Sequence, residues 1–264
     1  MKIIKKVYYE ICKLIAKVIF PKRKMVYEVL PDSEETSIYC CNHSGAIGPT
    51  NMTLWFDRPQ RTWIISYIFD KEVSTNFVFH DFLYARGRKC KWFWRGLAAV
   101  TAFFVRPMLE MQNAIKVYKA SARARETFDD TVNALKEGNN VVIFPESPTK
   151  FSEYINDFYD GFAKVCKYYY DATGKCLKFY PTYVGAHLKT INVGKPIVYD
   201  PTKSPKENRQ EIANYLRDSI DTIARNLPKH KPVPFLTEDY YKAYGEYVEC
   251  PEKYWEVVNQ HHSD

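Results

Sequence analysis

The sequence lacks the marks of a zinc protein, of a disulfide-framed secreted protein and of a protein that crosses a membrane. Its 264 residues include seven cysteines, an odd number without paired CxxC spacing. This argues against a metal site and a disulfide framework and favours a reducing compartment. The apolar N-terminal segment is interrupted by Lys13 and Lys17, well short of the ~20 apolar residues that span a bilayer. These lysines and the absence of a small-residue cleavage site also argue against a signal peptide.

The first 24 positions contain eight lysines and arginines but one acidic residue, Glu10. The difference equals the net charge of +7 of the whole chain. Apolar residues recur at three- and four-residue steps and predict one apolar helix face flanked by lysines. A nucleic-acid arm does not need that face, whereas a helix lying on anionic lipid does. We therefore expect residues 1–30 to form a basic amphipathic helix on a membrane lipid surface, with no nucleic-acid partner. Docking of the helix on the protein's own core is the alternative.

Residues 82–109 also lack acidic side chains. Six lysines and arginines surround Trp92, Phe93, Trp94 and an apolar stretch that is too short to cross a bilayer. A basic, tryptophan-rich segment of this kind is typical of an element embedded in the membrane interface. A buried helix with basic ends is the alternative interpretation.

Two predicted strands, residues 37–41 and 141–144, each run out into a polar turn. The first is followed by Asn42 and His43, and the second by Pro145 and Glu146. The carboxyl ends of parallel strands meet at one edge of an open α/β sheet, where such folds build their sites. We therefore expect the His43 imidazole and the Glu146 carboxylate to share one crevice.

The order of the remaining elements predicts the fold class. A helix predicted over residues 122–137 stops at a glycine immediately before the second of these strands, which is the β-α-β order of parallel strands joined by a right-handed crossover. We predict an α/β fold in which residues 31–228 form a single domain with a mixed, mostly parallel sheet flanked by helices. Residues 229–264 are expected to be an aromatic tail packed on that domain.

Four sequence motifs carry a family resemblance. They are Asn42-His43, Phe144-Pro145-Glu146, residues 179–184 (FYPTYV) and residues 191–197 (INVGKPI). In this order they resemble the glycerolipid acyltransferase family, and in particular the lysophosphatidic acid acyltransferases, over roughly residues 35–227. The resemblance implies a glycerol-3-phosphate acyltransferase-like fold. It also implies transfer of a fatty acyl group from acyl-CoA or acyl-ACP (acyl carrier protein) to the hydroxyl of a lysophospholipid-like acceptor.

The resemblance also implies roles for particular residues. His43 is expected to be the general base, since imidazole is the side chain whose ordinary pKa lies near neutrality. Lys119, Glu146, Ser147 and Lys150 match the part of the family's site that binds the acceptor. Pro181 and Tyr183 match the motif on the acyl side. No metal and no cofactor are expected beyond the acyl-CoA or acyl-ACP co-substrate, and the expected location is the cytoplasmic face of the membrane, peripheral or embedded in the interface.

One position departs from the family pattern. The family places an aspartate five residues after the histidine to orient its ring, and Gly48 stands there in this sequence. A backbone carbonyl or the Asn51 amide oxygen could orient His43 instead, Asp57 or Asp70 could approach from elsewhere, or the activity could be lost. A catalytically silent acyl-lipid-binding protein and a thioesterase therefore stay open as alternatives to an acyltransferase.

Overall fold

The computed structural model describes residues 2–83, 90–118, 123–147 and 154–233. Within these ranges the structure has seven α-helices and eight strands. The helices are α1 Lys2–Ile19, α2 Ile47–Trp55, α3 Lys71–Phe77, α4 Lys91–Met111, α5 Ala124–Lys136, α6 Val165–Thr173 and α7 Pro205–Asn226. The strands are β1 Lys24–Tyr27, β2 Ile38–Cys41, β3 Gln60–Ile65, β4 Ile115–Val117, β5 Asn140–Ile143, β6 Lys178–Val184, β7 Thr190–Val193 and β8 Ile197–Val198.

The strands form one sheet in the order β1-β7-β6-β2-β5-β3-β4, with β8 paired to β6. All pairings are parallel except those of β6 with β7 and with β8. The predicted α/β class with a mixed, mostly parallel sheet flanked by helices is therefore confirmed. Strand β2 lies between β5 and β6, so the chain that follows β2 emerges at the middle of the sheet's carboxyl edge.

The central strands are buried on both faces, as parallel strands covered by helices are. In β2, Ile38 and Cys40 pack into a cluster with residues of α5, α6 and α7, whereas Tyr39 and Cys41 pack with Met52 of α2 on the opposite face. This alternation follows from the two-residue period of a strand. The same burial makes Cys40 and Cys41 ordinary core residues.

Local sequence signals explain how several elements begin and end. A capping box opens α7, because the Ser204 hydroxyl accepts from the Glu207 backbone N–H while the Glu207 carboxylate accepts from the Ser204 backbone N–H. Strand β3 ends at Ile65, and residues 66–69 form a 3-10 turn. Residues 161–164 are likewise a 3-10 turn before α6.

Helices α1 and α4 lie against each other at the outside of the domain. The Tyr8 hydroxyl donates to the backbone oxygen of Phe104 at 2.9 Å, and the two rings stack with centroids 6.1 Å apart. Trp55 of α2 donates its indole N–H to the backbone oxygen of Phe20, directly after α1. In the part of the chain that the structure describes, none of the helices combines the length and the apolar character that crossing a bilayer requires.

Candidate active site

The turn that follows β2 is fixed by the side chain of Asn42. Its amide oxygen accepts the backbone N–H of Val184 at 2.7 Å, and its amide nitrogen donates to the Ser44 hydroxyl at 2.8 Å. The Ser44 hydroxyl in turn donates to the backbone oxygen of Val184 at 3.0 Å. Ser44 and Gly45 both have positive φ, 46° and 60°, a conformation that costs Gly45 little. The end of β2 is thereby bound to the end of β6, with His43 at the centre of the turn.

The His43 ring is oriented by a backbone carbonyl. Its Nδ1 lies 2.5 Å from the Gly45 oxygen. Because a carbonyl can only accept, Nδ1 carries the proton, and Nε2 is the nitrogen able to take up another one. The ring also packs on Phe144, with centroids 5.3 Å apart. Although the residue is partly exposed, desolvation lowers the pKa of His43 to about 4, and the bond to Gly45 opposes this only in part. The imidazole is therefore neutral at physiological pH.

Gly48 lies directly beneath this turn. Its N–H donates to the His43 backbone oxygen at 3.0 Å. A Cβ atom at this position would approach that oxygen to 2.5 Å and the Asn42 oxygen to 2.6 Å. No side chain fits here unless the turn moves, so the backbone geometry itself excludes the aspartate that the family pattern places at Gly48.

The expectation that Asn51 orients His43 is corrected by the structure. Asn51 is fully buried in α2, and its amide nitrogen donates to the Ile47 backbone oxygen at 2.7 Å. Its amide oxygen has no hydrogen-bond partner among the described residues, so it does not hold the imidazole. Asp57 accepts from the Tyr27 hydroxyl and Asp70 accepts from the Val73 backbone N–H. Of the orienting groups considered from the sequence, the structure shows the backbone carbonyl in contact with the ring.

Glu146 connects the turn after β5 to the His43 turn. One carboxylate oxygen accepts the backbone N–H of His43, and the other accepts the backbone N–H of Asn156 at 3.1 Å. The residue is 5% exposed, and burial raises the pKa of its carboxyl to about 7 although both N–H bonds lower it. His43 and Glu146 thus lie together as expected. The carboxylate accepts from two backbone N–H groups of the protein, and its role in binding the acceptor stays a prediction.

The other predicted site residues are distributed as follows. Ser147 is buried, and its N–H donates to the Asp157 backbone oxygen at 2.7 Å. Pro181 lies within β6 beside Cys40 of β2. Tyr183 is buried near the end of β6 and contacts His230. Lys119 and Lys150 lie outside the described residues, and their roles stay predictions.

Three residues at the site were not identified from the sequence: Gly45, Asn156 and His230. Gly45 could have been noticed, since a Ser-Gly pair directly after a strand is a turn signal. Asn156 acts through its backbone N–H and His230 comes from the segment after α7, so neither carries a local sequence signal. Among the described residues, no group of three or more His, Cys, Asp or Glu side chains is arranged to hold a metal ion.

A broad apolar surface lies on the outer faces of α1 and α4. Leu14 and Val18 of α1 are 66% and 80% exposed, and Trp92 and Phe103 of α4 are 79% and 69% exposed. Exposed apolar patches of this kind mark contact with a partner or a membrane. Helix α1 therefore combines both interpretations of its sequence, since it is docked on the domain through Tyr8 and leaves an apolar face uncovered.

The fold and the site define an α/β protein with a neutral imidazole at the carboxyl edge of its sheet. A model of the Acyltransferase family matches residues 22–173, which is more than half of the chain, and the chain belongs to that family. The resemblance to this family is thereby confirmed, and the reaction class is acyl transfer.

Comparison with individual known proteins adds little to the family assignment. The chain is similar in structure to the 1-acyl-sn-glycerophosphate (LPA) acyltransferase PlsC from Thermotoga maritima, with 12% sequence identity and a TM-score of 0.47 over 86% of this chain and 83% of that chain. None of the curated proteins matches the sequence.

Proposed function

We propose that the protein transfers a fatty acyl group from a thioester, acyl-CoA or acyl-ACP, to the hydroxyl of a lysophospholipid-like acceptor, with His43 as the general base. The observation that carries this proposal is the bond between His43 Nδ1 and the Gly45 carbonyl. It fixes the tautomer in which Nε2 is the proton acceptor, at the edge of the sheet where α/β folds bind their ligands.

The proposed step is a single acyl transfer. His43 Nε2 takes the proton of the acceptor hydroxyl while the hydroxyl oxygen attacks the thioester carbonyl carbon. The tetrahedral intermediate collapses, the carbon–sulfur bond breaks, and the leaving thiolate takes the proton from the imidazolium. The products are the acylated lipid and a free thiol, and the imidazole returns to its neutral state.

The Gly45 carbonyl replaces only part of what a carboxylate would do. It holds the ring in the required tautomer, but it carries no charge to stabilise the imidazolium that forms during the reaction. The low pKa of His43, about 4, agrees with this. The base is therefore correctly protonated at neutral pH but weak, and we expect slower turnover than an orienting carboxylate would allow.

Glu146 supports the geometry of the His43 turn. Because its carboxylate accepts the His43 backbone N–H, it holds the peptide that carries the base. We propose Glu146 as a positioning residue, and Lys119 and Lys150 as the cations that meet an anionic acceptor headgroup. Pro181 and Tyr183 are proposed to form the acyl side of the site.

We further propose that α1 and α4 place the site at the cytoplasmic face of a membrane. Their exposed apolar residues would enter the acyl boundary, and lysines on the flanks of α1 would meet anionic headgroups. Acceptor and product would then exchange with the bilayer without passing through water. This supports a lipid acceptor over a soluble alcohol.

The most informative experiment incubates the purified protein with a labelled acyl donor and a total lipid extract, followed by identification of labelled products. A labelled phospholipid that forms only with the extract supports the proposal. Labelled free fatty acid formed without acceptor would identify a thioesterase. An unconsumed donor would identify a silent acyl-lipid-binding protein, the candidate that the absence of space for a carboxylate at Gly48 favours.

A further inference from the structure

The chain that follows α7 crosses the sheet edge next to the His43 turn. We call residues 228–233 the strap. Helix α7 packs on β6, and its C-terminal half contributes Ile220 and Ala224 to a small buried cluster with Tyr183. The strap therefore leaves α7 close to the carboxyl end of β6, which is the end that carries the candidate site.

His230 fixes the strap through both of its ring nitrogens. Its Nδ1 lies 2.8 Å from the Pro228 backbone oxygen, and its Nε2 lies 2.6 Å from the Tyr183 hydroxyl. Because the carbonyl can only accept, Nδ1 carries the proton and Nε2 accepts from Tyr183. Tyr183 is 1% exposed, so its hydroxyl would be costly to leave without this partner. The ring also lies against Tyr154, with centroids 5.5 Å apart.

The strap lies beside the His43 turn and beside the residue that follows β6. A Cβ atom on Gly45 would lie 3.8 Å from Val233 Cγ1, which is ordinary van der Waals contact. A Cβ atom on Gly185, directly after β6, would lie 3.3 Å from His230 Cδ2. Gly45 is the residue whose carbonyl orients His43. The strap therefore connects the Tyr183 hydroxyl to the immediate neighbourhood of Gly45.

We propose that His230 is a positioning residue for His43, acting through the strap that lies beside Gly45. This inference rests on the proposed function for its effect on catalysis, but not for its effect on the His43 ring. The family pattern supplies a carboxylate from within the first motif to orient the histidine. In this chain the backbone carbonyl of Gly45 orients the ring instead, and we propose that the strap holds that turn from outside.

Four variants of the full chain test the inference. His230→Ala removes the ring, and His230→Gln restores an acceptor near the position of Nε2. Tyr183→Phe removes only the hydroxyl that His230 binds. Lys229→Ala is the matched control, because Lys229 lies on the same strap with its side chain exposed.

Two measurements are made on each protein: the ¹H–¹⁵N resonances of the His43 ring by NMR, and kcat and KM for acyl transfer. His230→Ala and Tyr183→Phe should shift or broaden the His43 Nδ1–H resonance and lower kcat by about 2- to 10-fold, the contribution of one hydrogen bond. In His230→Ala, KM for the donor should be unchanged. His230→Gln should recover part of both effects, and Lys229→Ala should match the wild type.

Wild-type His43 resonances in both His230→Ala and Tyr183→Phe would overturn the inference. If the wild-type protein transfers no acyl group, the proposed function fails while the NMR measurement still decides the role of His230. If His230→Ala does not fold, Tyr183→Phe carries the test, since the loss of one hydroxyl leaves the strap sequence intact.

Discussion

Glu146 and His43 should make the stability of the folded protein depend on pH in opposite directions, and single substitutions should separate the two effects. Burial raises the pKa of Glu146 from its ordinary value of 4.5 to about 7, so the folded protein retains a proton that the unfolded chain has released. The resulting stabilisation is complete below pH 4.5 and is lost as the pH rises through 7. At 1.36 kcal/mol for each pH unit, the loss is about 3 kcal/mol.

His43 acts in the opposite direction. Desolvation lowers its pKa from 6.5 to about 4, so its contribution to stability is complete above pH 6.5 and is lost as the pH falls through 4. The magnitude is again about 3 kcal/mol. Because the two windows overlap, the wild-type protein conceals much of both effects.

The assay is urea unfolding of the wild type, Glu146→Gln and His43→Asn from about pH 4 to about pH 7.5, the range over which both groups titrate. Asparagine keeps a donor for the Gly45 carbonyl. Relative to Glu146→Gln, the wild type should lose about 3 kcal/mol of unfolding free energy as the pH rises. Relative to His43→Asn, it should gain about 3 kcal/mol. Equal pH slopes in all three proteins would refute the argument that these groups are desolvated.

Three further substitutions probe separate parts of the structure. Gly48→Ala should destabilise the protein by about 2 kcal/mol or more and abolish acyl transfer, because its Cβ has no room beneath the turn. Gly96→Ala, in open space on α4, should be neutral or stabilising in the same urea unfolding assay. Equal effects of the two substitutions would contradict the steric argument. Ser204→Ala should cost about 1 kcal/mol in urea unfolding by removing the α7 cap, and an unchanged midpoint would show that the cap contributes nothing. Val18→Asp should weaken sedimentation with anionic vesicles, whereas Leu30→Asp, at a similarly exposed apolar position outside α1 and α4, should not. Equal binding by both variants would argue against the membrane surface.

Much of the fold could be predicted because its signals are local. Buried β-branched runs, a glycine after α5 and the Ser204 capping box each mark an element within a few residues of sequence. The juxtaposition of His43 and Glu146 followed from the rule that parallel strands end at one edge. These predictions required only the order of elements and the period of each.

The details of the site could not be predicted because they depend on the backbone in three dimensions. A carbonyl such as that of Gly45 has no sequence signature as an orienting group. The absence of an aspartate at Gly48 could be read from the sequence, but the close approach of two backbone oxygens that explains it could not. The sequence also left Asn51 open as an orienting group, whereas its amide nitrogen donates to the Ile47 backbone oxygen within α2.

The most direct test of the account is a comparison of wild type and His43→Ala with a labelled acyl thioester and a lysophospholipid presented in anionic vesicles. We expect the wild type to form labelled diacyl product and the variant to form none above background. Both proteins should sediment equally with the vesicles. Product formation by His43→Ala at the wild-type rate would contradict the account.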